Sequence, residues 1–509
     1  MSPGAGPAPP SLAVRMVKGA SWIVAWRVVT RGLGLVSTII LVRLLLPTDF
    51  GLVTLATSIA QALENLAAVG VYEALIREPE PDRAMYDTGF TLNLLRSLFV
   101  ALCIAAGASA ASRFFTDPRL APILFALAAM SVIAACENIG IVQFRRDITF
   151  EKEFLLMVVP RIAGILTTVL FAMILRDYRA LIAGLAVLRV TRLLLSYRMH
   201  PYRPGITLQA WRRIIGFSFW TWISATANMI KDRTDTFVIG RVLGPAKVGV
   251  YAIGMEVGAL ATTELLEPIT TALFAGFSSG RREGADIPRA FFKAISITFI
   301  LTLPAGVGIS LMAAPLIALM FGERWLEAIP LVQIFALLGV TKAIPYFSSV
   351  LLAAHAQLKI QFRIVMVGLA VRLILLFTLI GPLGLMGAVI AAVSCFMAEE
   401  ILFLIVTFRL FKLRVVDLLH ATWRSILATV AMAMAVAAEG IGWAPPASGT
   451  LQLATDLLTA ASSGAIVYCA VLLTAWRLSG RPEGAETLLL GVVQDTWRHT
   501  TRNMFVRRA

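Results

Sequence analysis

Charge is scarce in this chain of 509 residues: 15% are Asp, Glu, Lys or Arg, 58% are hydrophobic, and the mean hydropathy is +0.82. So little polar surface cannot cover a soluble globule of this length. Sequence outside apolar runs is scarce too. The longest polar pieces are the start SPGAGPAPPS, a tail after Arg477 and connections of roughly 5 to 15 residues, too little for a soluble catalytic domain. Cysteine and histidine number four each. Cys103, Cys136, Cys395 and Cys469 fall inside apolar runs, and His200, His355, His420 and His499 lie far apart without ligand spacing. No metal and no cofactor is expected. The acidic stretch DRTD (232–235) is not the D-x-D of a metal-dependent glycosyltransferase and sits in an apolar run. The chain is therefore expected not to be an enzyme.

What the sequence does contain is apolar runs of about 20 or more residues, the length an α-helix needs to cross hydrocarbon. We count fourteen between residues 19 and 476. The expected fold is an all-α integral membrane protein. The first run, SWIVAWRVVTRGLGLVSTIILV, is too long for a signal h-region and is interrupted by Arg27 and Arg31, so it is read as a retained span. With the N-terminus inside, the inward-facing segments hold more than half of the 45 Lys and Arg residues. Much of the net charge of +15 is thus topology, both termini are expected in the cytoplasm, and no nucleic-acid partner is needed. The same face would attract anionic lipid headgroups.

One short pattern occurs twice. LVRLLLPTDFG (41–51) and IGRVLGPAKVG (239–249) share Arg43, Leu45, Pro47 and Gly51 against Arg241, Leu243, Pro245 and Gly249, at a constant offset of 198 residues. Six spans separate the copies, so two six-helix lobes enter the bilayer from the same side, related by a pseudo-twofold along the membrane normal. Proline disfavours helix at Leu46 and Gly244 and suits the first turn of the following helix. The expected organisation is a cytoplasmic N-terminus 1–18, an N-lobe 19–200, a basic linker 201–213, a C-lobe 214–410, two further spans within 411–477 and a basic tail 478–509.

The stretches GASWIVAWRVVTRGLGLVSTIILVRLLLPTDFGLVTLA and MIKDRTDTFVIGRVLGPAKVGVYAIG resemble the first and seventh helices of bacterial polysaccharide and O-antigen flippases. These form a branch of the multidrug/oligosaccharidyl-lipid/polysaccharide exporter superfamily. The resemblance implies a two-lobed bundle in the bacterial inner membrane that moves a lipid pyrophosphate-linked glycan outward by alternating access. A glycan polymerase machinery would be its downstream partner. A lipid-linked peptidoglycan precursor flippase and a multidrug antiporter are the alternatives within the superfamily.

Charges inside spans are costly and usually face a cavity or a partner. Arg27 and Arg31 lie one turn apart on one helix face, and Arg96 is deep in its run. Paired guanidinium donors suit a pyrophosphate, so these three are the candidate substrate-binding residues. Arg27 equally suits snorkelling to headgroups. Arg161, Arg189 and Arg192 are read as snorkelling or structural pairs. In the seventh run, Asn228, Asp232 and Asp235 form one stripe at spacings of four and three, with Glu256 in the next run. They are candidates to couple transport to H+ or Na+. The plainer reading is an ion-pair network with Lys231 and Arg233. Glu264 and Glu267 are read as equally ambiguous, and Trp22, Trp26, Trp220, Trp222 and Tyr251 as interfacial anchors or sugar-stacking rings.

Overall fold

The computed structural model describes residues 12–67, 70–147, 149–214, 219–260, 287–355, 357–443, 449–481 and 486–487. Among these the ordered elements are helical, with no strand. The chain divides into two compact units, residues 1–249 and 250–509.

Unit 1 contains α1 (Leu12–Leu44), α2 (Pro47–Leu66), α3 (Val71–Arg77), α4 (Arg83–Phe114), α5 (Leu120–Ala135), a 3₁₀ turn (Ile139–Ile141) running into α6 (Val142–Arg146), α7 (Phe150–Leu175), α8 (Arg179–Met199), α9 (Trp211–Ile214) and α10 (Phe219–Val242). A helix α11 (245–260) starts at its boundary. Unit 2 continues from there through α12 (Ile287–Leu311), α13 (Ala313–Met320), a 3₁₀ turn (Glu323–Ala328), α14 (Ile329–Thr341), α15 (Ala343–Ala354), α16 (Leu358–Leu410), α17 (Val415–Ala438) and α18 (Thr450–Leu478).

Nine helices among the described residues are long and apolar enough to cross a bilayer, and eleven if two bent pairs each count as one span. The pairs are α2 with α3, bent by 47°, and α5 with 139–146, bent by 65°. α16 runs for 53 residues, about 80 Å at 1.5 Å per residue, far longer than one crossing of about 30 Å. It breaks at Gly384 (φ 55°, ψ −132°), two residues after Pro382, into two halves of spanning length. The expectation of fourteen spans includes segments beyond this tally. One is the run after Leu260, whose residues 261–286 lie outside the described residues. Another is α10, which carries four charges in mid-helix.

The repeated pattern has a direct structural meaning. Pro47 opens α2 after an extended Leu46 (ψ 155°), and the Asp49 carboxylate accepts from the Leu46 N–H at 3.1 Å, closing the turn. The second copy also starts its helix at the proline, but after Gly244 at φ 85° and with Lys247 in the place of Asp49, and the two openings lie against each other inside unit 1. A Cβ on Gly51 would overlap the Pro245 carbonyl, and one on Gly249 would overlap the Pro47 carbonyl. Each glycine thus receives the backbone of the other copy's proline. Close approach of two backbones is what holds helices together where hydrocarbon supplies no hydrophobic drive. α10 joins the same packing. Its Phe237 enters the core formed by Leu52, Leu55 and Ala56 of α2 with α4 and α5, and Arg233 donates to Ser58 Oγ at 3.2 Å.

In unit 2, α17 and α18 pack on each other and on α12. Pro304 lies inside α12 and has no N–H, so the Ile300 carbonyl four residues earlier loses its helical donor. The hydroxyl of Tyr468 on α18 donates to that carbonyl at 2.8 Å. The terminal hairpin therefore completes a helix the proline interrupts.

Replacing Gly51 by Ala should destabilise the protein by about 1–3 kcal/mol through overpacking onto backbone. Gly32→Ala, where an added Cβ meets nothing within 4 Å, should be neutral or stabilising. Thermal unfolding of the two detergent-solubilised variants checks this, and equal midpoints would contradict the reciprocal packing.

Candidate functional site

Both bent spans of unit 1 break at the same place, and a polar cavity of about 340 Å³ lies between them. Glu64 comes from the last turns of α2, Glu73 from α3, Arg96 from the middle of α4, Ser131 from the end of α5, Glu137 from the break after α5, and Arg189 from the middle of α8. Broken helices leave backbone groups that hydrocarbon cannot satisfy, so the break needs polar company. Asn138 provides it. Its N–H donates to Ser196 Oγ at 3.0 Å, its Oδ1 accepts from Gly140 N–H at 2.9 Å, and its Nδ2 donates to the carbonyls of His200 and Tyr202 at 3.1 and 2.6 Å.

Some of the cavity's charges are committed. Ser131 donates to Glu64 at 2.8 Å, and Arg192 pairs with the buried Glu137 at 3.0 Å. Others are not. Among the described residues, Arg96, Arg189 and Glu73 make no side-chain hydrogen bond or ion pair, and Arg96 Nε is buried without an acceptor. Two guanidinium groups without an ion pair, beside the carboxylates of Glu64 and Glu73, make a polar cavity that calls for water or a ligand in an apolar protein. A second cavity of about 250 Å³ shares Tyr72 and Glu73 with the first and is lined by Arg192, Arg145 and Glu153. Arg145 and Glu153 pair at 2.6 Å.

The sequence candidates are distributed unevenly. Arg96 lines the cavity, whereas Arg27 and Arg31 lie half-buried on α1 and do not. The Arg27 guanidinium sits 5.8 Å from the ring of Trp26. α1 packs on α7, where a Cβ on Gly34 would stand 3.0 Å from Arg161 Nη2. Of the seventh-helix stripe, Asp235 is 1% exposed, Asn228 is half-buried and Asp232 faces outward. Lys231, one turn before Asp235, is buried as well, and both side chains are engaged. Glu256 is half-buried and engaged, and Glu264 and Glu267 lie outside the described residues. Trp22 packs edge-on to Phe154 at 5.1 Å, and Tyr251 is buried against Phe335 at 5.6 Å.

Arg192 is a structural pair as the sequence suggests, while Arg189 joins the cavity. Glu73 escaped the sequence reading, since VYEALIR after Gly70 reads as the polar end of a span. The signal for it was the glycine followed at once by a charged, seven-residue helix.

Arg192→Ala strands Glu137, whose side chain is 5% exposed, and should cost roughly 2–4 kcal/mol, near the range for breaking a buried pair. Adding Glu137→Gln to that variant should recover part of the loss. A double-mutant cycle on thermal stability measures both, and strict additivity would mean the pair contributes nothing.

Comparison with known proteins follows the same lines. The sequence model of a family of polysaccharide biosynthesis proteins matches residues 40–330. The lipopolysaccharide biosynthesis protein WzxC of Escherichia coli (strain K12) is 25% identical over 357 residues, 69% of this chain and 73% of that one. The succinoglycan biosynthesis transport protein ExoT of Rhizobium meliloti (strain 1021) is 25% identical over 324 residues, 63% of this chain and 66% of that one. Among solved structures, the lipid II flippase MurJ in an inward closed conformation superposes with a TM-score of 0.70 over 89% of this chain and 99% of its own, at 13% identity. An inward-facing multidrug resistance transporter of the MATE family superposes at 0.54 over 77% and 94%, at 17% identity. At such identities the likeness is one of fold.

Proposed function

The chain belongs to the family of polysaccharide biosynthesis proteins, and on that footing we propose that it is a flippase that exports lipid pyrophosphate-linked oligosaccharide repeat units across the bacterial inner membrane by alternating access. The observation that carries this reading is the unit 1 cavity, where Arg96 and Arg189 stand uncommitted in an apolar body. A guanidinium offers a pyrophosphate paired donors in a fixed plane, and the carboxylates of Glu64 and Glu73 are acceptors for sugar hydroxyls. At about 340 Å³ the cavity is at the small end of ligand sites, which run from about 300 to 1,000 Å³, and holds one headgroup rather than a whole repeat unit.

Arg31 and Arg27 on α1 are assigned a supporting role on the diphosphate path, outside the cavity lining. The excess of Lys and Arg supports cytoplasmic termini. Asp235, with Asn228 and Asp232, is assigned the coupling ion, H+ or Na+, and Glu256 is a candidate of its own in unit 2. The deep burial of Asp235 supports this, because a carboxylate held at that depth senses a bound cation or proton strongly. Movement of a glycan lipid requires no bond to be made or broken, and the chain acts without catalysis. A peptidoglycan precursor or drug cargo rests on the fold likeness alone, while the sequence relatives favour the polysaccharide cargo.

Outward translocation of lipid-linked glycan in reconstituted vesicles tests the site. Arg96→Ala removes two charge-assisted hydrogen bonds of about 1.5–3 kcal/mol each and should weaken substrate binding by about two to four decades. Arg96→Lys keeps the charge without the paired geometry and should fall between, and Arg31→Ala should cost less than Arg96→Ala. Wild-type flipping by an Arg96→Ala, Arg189→Ala variant at equal expression would rule the site out.

Coupling has its own test. Asp235→Asn should abolish the response of transport to an imposed ion gradient while folded protein in the membrane stays at the wild-type level. If protein is lost in proportion to activity, Asp235 serves only packing.

A further inference from the structure

The connection between α8 and α9, residues 200–210, has no regular secondary structure over 201–208 and is stitched to unit 1 by its own backbone. Gly205 N–H donates to Asp87 Oδ1 at 2.6 Å, Thr207 N–H to Thr91 Oγ1 at 3.0 Å and Ala210 N–H to Thr88 Oγ1 at 3.1 Å. Asp87, Thr88 and Thr91 share one face of the first turns of α4. The Tyr202 hydroxyl also donates to Asp87 at 2.6 Å. At the near end of the strap, the Tyr202 N–H donates to His200 Nδ1 at 3.2 Å, and His200 Nε2 lies 2.9 Å from Gln143 Oε1. Burial and the cations Lys152 and Arg203 hold the His200 pKa below its ordinary value, in keeping with a neutral ring that accepts at Nδ1. At the far end Arg213 pairs with Glu78 at 3.0 Å and Asp82 at 3.2 Å.

This stitching fixes how deep the strap sits in the bilayer. α4 has 32 residues and is about 48 Å long, so centred on a hydrocarbon core of about 30 Å it would project about 9 Å at each end. Asp87 to Thr91 lie about 6–12 Å along α4 from Arg83 at the same rise per residue, straddling the boundary between headgroups and hydrocarbon. At that depth a backbone survives only with its polar groups satisfied, and the inner edge of the strap is satisfied by α4.

The outer face has a matching composition. Exposure alternates here: Ile206 is 80% and Leu208 44% exposed, while Thr207 between them is half-buried and bonded to Thr91. Trp211 follows at 44% exposure, and the Arg212 guanidinium lies 5.4 Å from its ring. Arg203, exposed, stacks at 5.4 Å on Tyr197. Isoleucine, leucine and tryptophan bordered by arginines at the edge of hydrocarbon fit a lipid surface, with the rings at headgroup level and the cations at phosphate.

We propose that the outer face of residues 203–212 binds anionic phospholipid, with Ile206, Leu208 and Trp211 set into the acyl boundary and Arg212 on the headgroup phosphate. The connection that leads into α10 is then moored on both edges, to α4 by hydrogen bonds and to the leaflet by lipid. This holds for either orientation of the chain and for any cargo.

The test uses the full chain in lipid nanodiscs. Nitroxides placed by Ile206→Cys and Leu208→Cys, with the four native cysteines replaced, should be more accessible to dissolved oxygen than to a water-soluble nickel chelate. A nitroxide at the exposed Glu80 should show the reverse. Anionic phosphatidylglycerol should raise the thermal midpoint of the wild type relative to phosphatidylcholine. Arg212→Gln should bind phosphatidylglycerol about fivefold more weakly, the effect of one basic residue at an anionic surface. Water accessibility at 206 and 208 would overturn the lipid contact and point to a soluble partner. Lipid accessibility with an unchanged phosphatidylglycerol affinity in Arg212→Gln would overturn the headgroup assignment.

Discussion

In a hydrocarbon solvent an unanswered donor, acceptor or charge costs far more than in water, and this constraint orders most of what is seen here. It explains why Tyr468 reaches across from α18 to the carbonyl that Pro304 frees in α12. It also explains why Asn138 spends its side chain and its backbone N–H on the break after α5. At these two places an irregularity in a helix is matched by a polar group from elsewhere in the fold.

Against that background, charge left uncommitted has a meaning it would lack on a water-soluble surface. Arg192 and Glu137 neutralise one another and are architecture. Arg96 and Arg189, on the same cavity wall, make no ion pair and share the cavity with the carboxylates of Glu64 and Glu73, an arrangement of buried charge that calls for water or a ligand. The distinction between structural and functional arginines is therefore one of partnership rather than depth.

Partnership is also what a single sequence conceals. The helical class, the membrane setting and the duplicated Pro–Gly turn were legible, because hydropathy and a repeat are properties of one strand of text. Arg96 was legible as a charge in mid-span. That Arg192 meets Glu137, that Arg189 does not pair, and that Glu73 lies beside them depend on the bends after Leu66 and Ala135, which bring α3 and residues 137–139 to α4 and α8. Composition does not predict a bend of 47° or 65°, since a short polar segment after an apolar run reads as the end of the span. Likewise the stripe Asn228, Asp232 and Asp235 follows helical arithmetic, yet packing on α2 buries Asp235 and leaves Asp232 outside.

The clasp between the two proline-led turns bears on how the chain is assembled as it is made. Gly51 is seated on Pro245 and Gly249 on Pro47, a contact that closes a loop of nearly 200 residues. At synthesis rates of about 5–20 residues per second, α2 stands in the membrane for roughly 10–40 s before its counterpart emerges. During that interval the face of α2 around Gly51, Leu55 and Ser58 is open to lipid or to whatever insertion factor attends the nascent chain. The first half of the protein is thus finished by the opening residues of the second, and a ribosome that stops between α8 and α10 leaves a bundle that cannot close.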